Sequence, residues 1–246
     1  MAGRQVLDPF TDESGNIDFG ILLRSLPSLQ GPYTSVDWDA FPDTPQDAFV
    51  PWLCDAIVAV RSSPGHPYEP HAMTLSTIDS NGFPDARVLI LKNLDHRGWH
   101  FAAKSDSAKG QQLEANAKCS LIFHWAQLGR QVRIRGVAKQ LPAQECAADF
   151  MNRPLESRVM ALASLQSKVM DEDSETGLPR RTIEAQAILS DPHYAPPTWL
   201  VYAVDPLAVE FWQGAENRHH GRLRYTRVAV SPEETTGTWK KERLWP

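Results

Sequence analysis

The last quarter of the chain concentrates side chains able to do chemistry on a flat, charged molecule. Glu210, Phe211, Trp212, Gln213 and Gly214 run into Arg218, His219, His220, Gly221, Arg222, Leu223, Arg224 and Tyr225. In an extended strand, side chains two apart share a face, so Trp212 and then Arg218, His220 and Arg222 would each present one wall of a pocket. That gathers a ring, a proton donor and two cations. Arg gives planar, charge-assisted hydrogen bonds to phosphate and Trp stacks on rings, so the set suits a ligand that is both aromatic and anionic. The same run could equally serve as an exposed basic hairpin.

Four further groups have the chemistry of an anion site. Arg87 to Lys92 reads as a strand with a cation at each end. Period-two alternation puts those cations on opposite faces, so the strand must twist or bulge, or they serve different groups. Ser107 and Lys109 lie in a turn before the helix-like run Gly110 to Glu114, where free backbone N–H groups and a lysine make a phosphate site. Gln131, Arg133 and Arg135 share one strand face, with Val132 and Ile134 on the other. Arg153, Pro154 and Ser157 sit between two helices, with Gln166 and Ser167 at the end of the second, positions that also suit helix caps. G-x-S-x-G, H-E-x-x-H, C-x-x-C, P-loop and G-x-G-x-x-G patterns are all missing. Three widely spaced cysteines and eight histidines, scattered apart from His219 and His220, point to neither a disulfide framework nor a metal site.

The elements that must position these residues follow from pattern and composition. Net charge is −5, with 25 Lys+Arg against 30 Asp+Glu, which argues against nucleic acid as a partner. No apolar run approaches a membrane span and the first residues lack a signal-peptide core, so a cytoplasmic protein without membrane attachment is expected. Residues 1–70, punctuated by prolines, read as an arm with one helix, for which Thr44 and Asp47 offer capping-box spacing and Pro51 an obstacle. Residues 71–246 read as the main domain. Strands are expected at Met73–Ile78, Ala86–Leu94, Trp99–Ala103, Cys119–Trp125, Gln131–Lys139, Trp199–Val204, Ala208–Trp212, Arg222–Val230 and Trp239–Leu244. Helices are expected at Ala143–Met151, Leu155–Gln166 and Thr182–Leu189, with a mobile acidic loop over Val169–Arg181. Hairpin turns without alternating βα units predict a mainly antiparallel β protein with peripheral helices, an α+β barrel or sandwich.

In their order and spacing, Arg87–Lys92, Ser107–Lys109 with Asn116, Arg130–Val132, Glu210–Arg222 and the terminal Glu242-Arg243-Leu244-Trp245-Pro246 resemble the pyridoxamine 5′-phosphate oxidase family. The resemblance covers about His71 to Pro246. It implies an antiparallel FMN-binding split barrel, working as a homodimer whose site lies between subunits. By resemblance, Arg87, Val88, Lys109, Gln131, Gln166, Ser167, Trp212 and Arg222 would hold FMN. Lys92, Arg153 and Ser157 would bind the substrate phosphate, and Arg218 and His220 would sit over the substrate ring as the catalytic pair. The implied reaction oxidises pyridoxamine or pyridoxine 5′-phosphate to the aldehyde, with O2 as acceptor and H2O2 released. The chain departs from the family pattern at Asp149, where a phosphate-binding Tyr is usual, and at Ala102, Ala103, Ala108 and His219. Those departures leave two alternatives, a phenazine-biosynthesis-like oxidase of the same fold and a non-catalytic flavin module.

Overall fold

The structure is a computed structural model that describes residues 19–29, 31–62, 68–170, 172–228 and 238–246, with backbone alone for 172–175. Among them nine strands form one sheet: β1 (Ala72–Ile78), β2 (Pro84–Ile90), β3 (Asn93–Asp95), β4 (Gly98–Lys104), β5 (Lys118–Trp125), β6 (Arg130–Gln140), β7 (Trp199–Gln213), β8 (Gly221–Arg227) and β9 (Trp239–Arg243). Their order is β2-β1-β5-β6-β7-β4-β3, with β8 on β7 and β9 on β8, and every pairing is antiparallel. The split is made by β7. Its first part, residues 199–204, pairs with β4, while residues 208–213 pair with β8. Between them the register against β6 shifts, leaving Leu207 opposite no residue where Pro206 faces Gly136. A proline cannot donate to the ladder, so a bulge here ends one set of partners and starts another.

Alternation built the interior. β1 and β6 bury every second residue, which puts Met73, Leu75, Val132 and Ile134 inside. Helix α2 (Pro45–Arg61) closes this core: Phe49 lies within 4.8 Å of Phe123 and 5.5 Å of Trp99, ring centre to ring centre. The edge-on geometry of both pairs favours aromatic quadrupoles. Thr44 caps α2 by accepting the Asp47 N–H at 3.2 Å, and Pro45 occupies the first turn where no N–H is missed. Pro51 faces solvent, and the helix runs through it because Phe49, Trp52 and Ala56 anchor the opposite side.

Several expectations change. Residues 45–61, read as part of an arm, belong to the main core, and a short helix α1 (Phe19–Ser25) precedes them. The strand expected over Ala86–Leu94 stops at Ile90, because the next two amides turn to different partners: Leu91 N–H donates to His71 O and Lys92 N–H to His100 O. The two strands expected in 199–212 are one bulged strand. Residues 229 and 230, expected to extend β8, lie outside the described residues. The helix expected over Leu155–Gln166 is α5 (Leu155–Ala163), so Gln166 and Ser167 follow it in a turn where Ser167 takes φ +70°. Most of the expected loop Val169–Arg181 is the first half of a helix, α6 (Glu172–Ile188). Composition suggested a loop, but Leu178, Ala185 and Leu189 pack with Phe150 of α4 (Ala143–Met151), Val159 and Ala163 of α5 and Trp199. Tertiary packing therefore overrides the weak helix propensity of Gly177 and Pro179. No described helix is long and apolar enough to cross a membrane.

The β3–β4 turn depends on one glycine. Gly98 has φ +120°, and a Cβ there would lie 1.9 Å from the Val204 carbonyl oxygen. Gly98→Ala is expected to cost about 3 kcal/mol from backbone strain plus overpacking, read as a lower urea midpoint with an unchanged m-value.

Candidate active site

A cleft of about 570 Å³ opens between β2, β4, the start of helix α3 (Ala108–Ala115) and the α4–α5 junction. Ser107 caps α3 and accepts the Gly110 N–H at 3.3 Å. Gly110 has no Cβ to spare, since one would lie 2.2 Å from the Lys104 carbonyl oxygen, and this close approach seats the helix start on the end of β4. Lys109 is consequently buried at the cleft wall, 6% exposed, and donates to Gln166 Oε1 at 2.9 Å. Among the described residues no carboxylate comes within ion-pair distance of it. Burial holds the Lys109 ammonium below the usual lysine range, and the positive charges of Arg87 and Lys104 lower it further. Lys104 Nζ donates to Ser164 O at 2.9 Å, with Asp106 only at 3.7 Å.

The break after β2 separates its two cations. Arg87 points beneath α3, donating to Thr77 Oγ1 at 2.6 Å and Gln112 Oε1 at 3.2 Å and pairing with Asp85. Val88 faces the cleft and is 66% exposed. Lys92, beyond the strand end, lines the cleft together with Arg153 and Ser157. Lys92 Nζ lies 3.4 Å from Asp149 Oδ1, and the other Asp149 oxygen accepts the Trp199 indole N–H at 2.8 Å. The Arg153 guanidinium lies over the Trp199 ring at 4.2 Å, and burial pulls its pKa below the usual arginine range. Its Nε is buried without a partner. A buried lysine lacking a carboxylate and an arginine with an unused N–H make this a cleft for anions at two places, one beside Lys109 and one beside Arg153.

A second group gathers at the other side of β6 and β7. Gln131, Trp212 and Arg222 stand opposite one another across β6, β7 and β8 and form a row on one face. Arg222 is fixed there: Nε and Nη2 donate to Glu210 Oε1 at 2.9 and 2.8 Å, and Nη1 to the Trp245 carbonyl at 3.0 Å. Glu210, 7% exposed, also pairs with Arg133 at 2.6 Å. The expectation that Trp212, Arg218, His220 and Arg222 share one strand face is corrected. β8 starts at Gly221, so Arg218 and His220 lie in the β7–β8 turn, where Arg218 is exposed at φ +65°. Cross-strand pairing brings Trp212 and Arg222 together, and the turn folds the His220 ring to 5.0 Å from Trp212. His220 Nδ1 accepts the Ala215 N–H at 3.1 Å, which leaves Nε2 to carry the proton and donate.

Val88, Lys92, Lys109, Arg153, Ser157 and Gln166 thus share the cleft, and Arg87 supports it from behind. Gln131, Trp212, Arg218, His220 and Arg222 do not line it, and neither does Ser167. The site residues expected from the sequence therefore fall into two groups within the chain. Sequence reasoning overlooked Lys104, Trp199 and Glu210 as parts of the sites. For Lys104 the signal was its place at a strand end just before the Ser107 cap; Glu210 gave none beyond its neighbours, because its two cations reach it across strands.

Residues 66–188 match the family model described as pyridoxamine 5′-phosphate oxidase, and residues 199–246 match the pyridoxine 5′-phosphate oxidase C-terminal dimerisation region. A pyridoxine/pyridoxamine 5′-phosphate oxidase from Pseudomonas putida (strain GB-1) is 41% identical over 229 residues, spanning 92% of this chain and all of the relative. One from Salinibacter ruber (strain DSM 13855 / M31) is 40% identical over 208 residues, 85% of this chain and 92% of the relative. Among solved structures, PhzG from Burkholderia lata 383, in complex with tetrahydrophenazine-1-carboxylic acid, superposes with a TM-score of 0.75 at 30% identity, covering 88% of this chain and 100% of that one. An FMN-binding protein from Nostoc punctiforme PCC 73102 shares the fold at a TM-score of 0.63 and 16% identity, covering 87% and 100%. On the strength of both model matches and of relatives this similar over nearly their whole length, the chain belongs to the pyridoxamine 5′-phosphate oxidase family.

Proposed function

We propose that this chain is an FMN-dependent oxidase that converts pyridoxamine or pyridoxine 5′-phosphate to pyridoxal 5′-phosphate, passing electrons to O2 and releasing H2O2. The observation that carries this reading is a single cleft lined both by the buried Lys109 and by Lys92 with Arg153. A flavin mononucleotide and a phosphorylated substrate bring one phosphate each, and these cations are the charge that two phosphates need. The relatives named for this activity support the same choice.

Arg87, Val88, Lys109, Gln166 and Ser167 would hold FMN from one subunit, with Gln131, Trp212 and Arg222 supplied by the other. The two groups of site residues in a single chain motivate the homodimer, and the matched dimerisation region supports it. Bound FMN supplies the hydride acceptor and the route to dioxygen. Lys92, Arg153 and Ser157 bind the substrate phosphate and so fix the distance of the ring from the cofactor. Arg218, on the exposed turn, orients that ring, and His220 offers an Nε2–H to its polar edge. Glu210 keeps Arg222 in one rotamer, so the cation is in place before the ligand arrives.

A second reading rests on one contact. Lys92 already has Asp149 as a partner, which lessens its need for a substrate phosphate, and the PhzG relative was solved with a carboxylic acid. An FMN oxidase of a phosphate-free aromatic acid would fit that pairing.

Purified protein is expected to be yellow, to bleach when pyridoxamine 5′-phosphate is added without oxygen and to recover its colour in air; absorbance near the flavin bands reads this. No bleaching at millimolar substrate, together with peroxide release from a phosphate-free aromatic acid, would transfer the assignment to the second reading. Arg218→Ala is expected to slow flavin reduction about 100-fold while FMN stays bound, as stopped-flow absorbance would record. Lys109→Met should do the opposite: FMN affinity falls at least about tenfold. The stability of the flavin-free form should stay level or rise by about 1 kcal/mol in urea titrations, because a desolvated cation has been removed.

A further inference from the structure

We infer that Asp149 is an internal counter-ion for the substrate-anion position, one that competes with the substrate's phosphate for Lys92 and sets how strongly the site takes a doubly charged ligand. The inference rests on the oxidase reading above and concerns how that one subsite chooses among anions.

The geometry is specific. Asp149 projects from α4 one turn before Arg153, and its carboxylate is divided between two partners that both line the cleft. One oxygen lies 3.4 Å from Lys92 Nζ, and the other accepts the Trp199 indole N–H at 2.8 Å. Trp199 is in turn the surface on which the Arg153 guanidinium rests. The Asp149 side chain is 19% exposed and that of Lys92 is 29% exposed, so water screens the pair only in part. Of the two cations that face an incoming anion here, Lys92 therefore already has a carboxylate beside it, and the charge of Asp149 reaches Arg153 as well. Glu156, the other acid at this part of the cleft, is exposed and lies on the rim.

A phosphate monoester is mostly dianionic at neutral pH, since its second ionisation falls near pH 6. To reach Lys92 it must approach a fixed carboxylate, and the two negative charges then share one ammonium. A singly charged or uncharged ligand meets less of that repulsion. Asp149 thus weakens binding in proportion to ligand charge, while its bond to Trp199 keeps the Arg153 platform in place. An ordinary structural ion pair, holding α4 to the end of β2, would affect all ligands alike.

Asp149→Asn separates these roles, because the amide oxygen still accepts the indole N–H while the charge is gone. In the FMN-loaded enzyme the KM for pyridoxamine 5′-phosphate is expected to fall about tenfold, the factor for about 1.4 kcal/mol of like-charge repulsion, with kcat within about twofold. The KM for pyridoxamine lacking the phosphate should not move. Inorganic phosphate at millimolar concentration should raise the melting temperature of the variant more than that of the wild type. An unchanged or higher KM for the phosphate ester with flavin retained overturns the inference, and so does an equal change for both vitamers. Should the wild type oxidise neither vitamer, the oxidase reading fails by itself, and the phosphate-induced shift decides alone: a larger shift in the variant supports the counter-ion, an equal or smaller one refutes it. If Asp149→Asn does not fold, Asp149→Ser, which removes the same charge with a smaller neutral side chain, gives the comparison between the two vitamers.

Discussion

Two consecutive backbone amides decide where β2 ends and how its two cations are placed. Leu91 N–H is held by the His71 carbonyl at 2.9 Å and Lys92 N–H by the His100 carbonyl at 2.8 Å, so the chain leaves the β1 ladder and joins the edge of β4 within one residue. Each backbone N–H finds an acceptor, and the two acceptors lie in different segments, His71 before β1 and His100 in β4. The consequence is that β2 ends, and the cations at either side of the break take different tasks. Arg87 backs α3, while Lys92 lines the cleft that Lys109 also lines. A straight strand would have turned one of them to the wrong face.

Local charge and global charge point in opposite directions. The chain as a whole carries −5, yet Lys92, Lys104, Lys109 and Arg153 surround one cleft, and Asp149 is the only carboxylate paired with Lys92 among the described residues. Holding cations together and partly out of water destabilises the fold. The aromatic interior offsets that: Phe49, Trp52, Trp99, Phe123, Trp125 and Phe211 are buried in one cluster closed by α2.

The family's dimerisation region includes β7, β8 and β9 with the β7–β8 turn, and these carry Trp212, Arg222 and, on the turn, His220 with their supports. The β7 bulge makes this possible. By ending the pairing with β4 and beginning that with β8, it directs one half of a single strand to the cleft side and the other half to the Trp212–Arg222 row. Glu210 and the Trp245 carbonyl then hold Arg222 in place before any ligand is present.

Residue order along the chain was enough to establish much of this protein. Short apolar runs between turn residues marked β1, β4, β5 and β6 to within a residue or two, Thr44 and Ser107 marked two helix starts, and the ordered clusters from Arg87 to Arg222 carried the family. These signals are local, set by apolar runs and by capping, and survive being read one segment at a time. Only the tertiary structure decided the rest. It made α6 a helix despite Gly177 and Pro179, put α2 inside the core, ended β2 before Lys92, joined Trp212 to Arg222 across strands and gave Asp149 its two partners. Each of those outcomes depends on groups distant in sequence competing for the same amide, ring or charge, and that competition is settled only when the chain is folded.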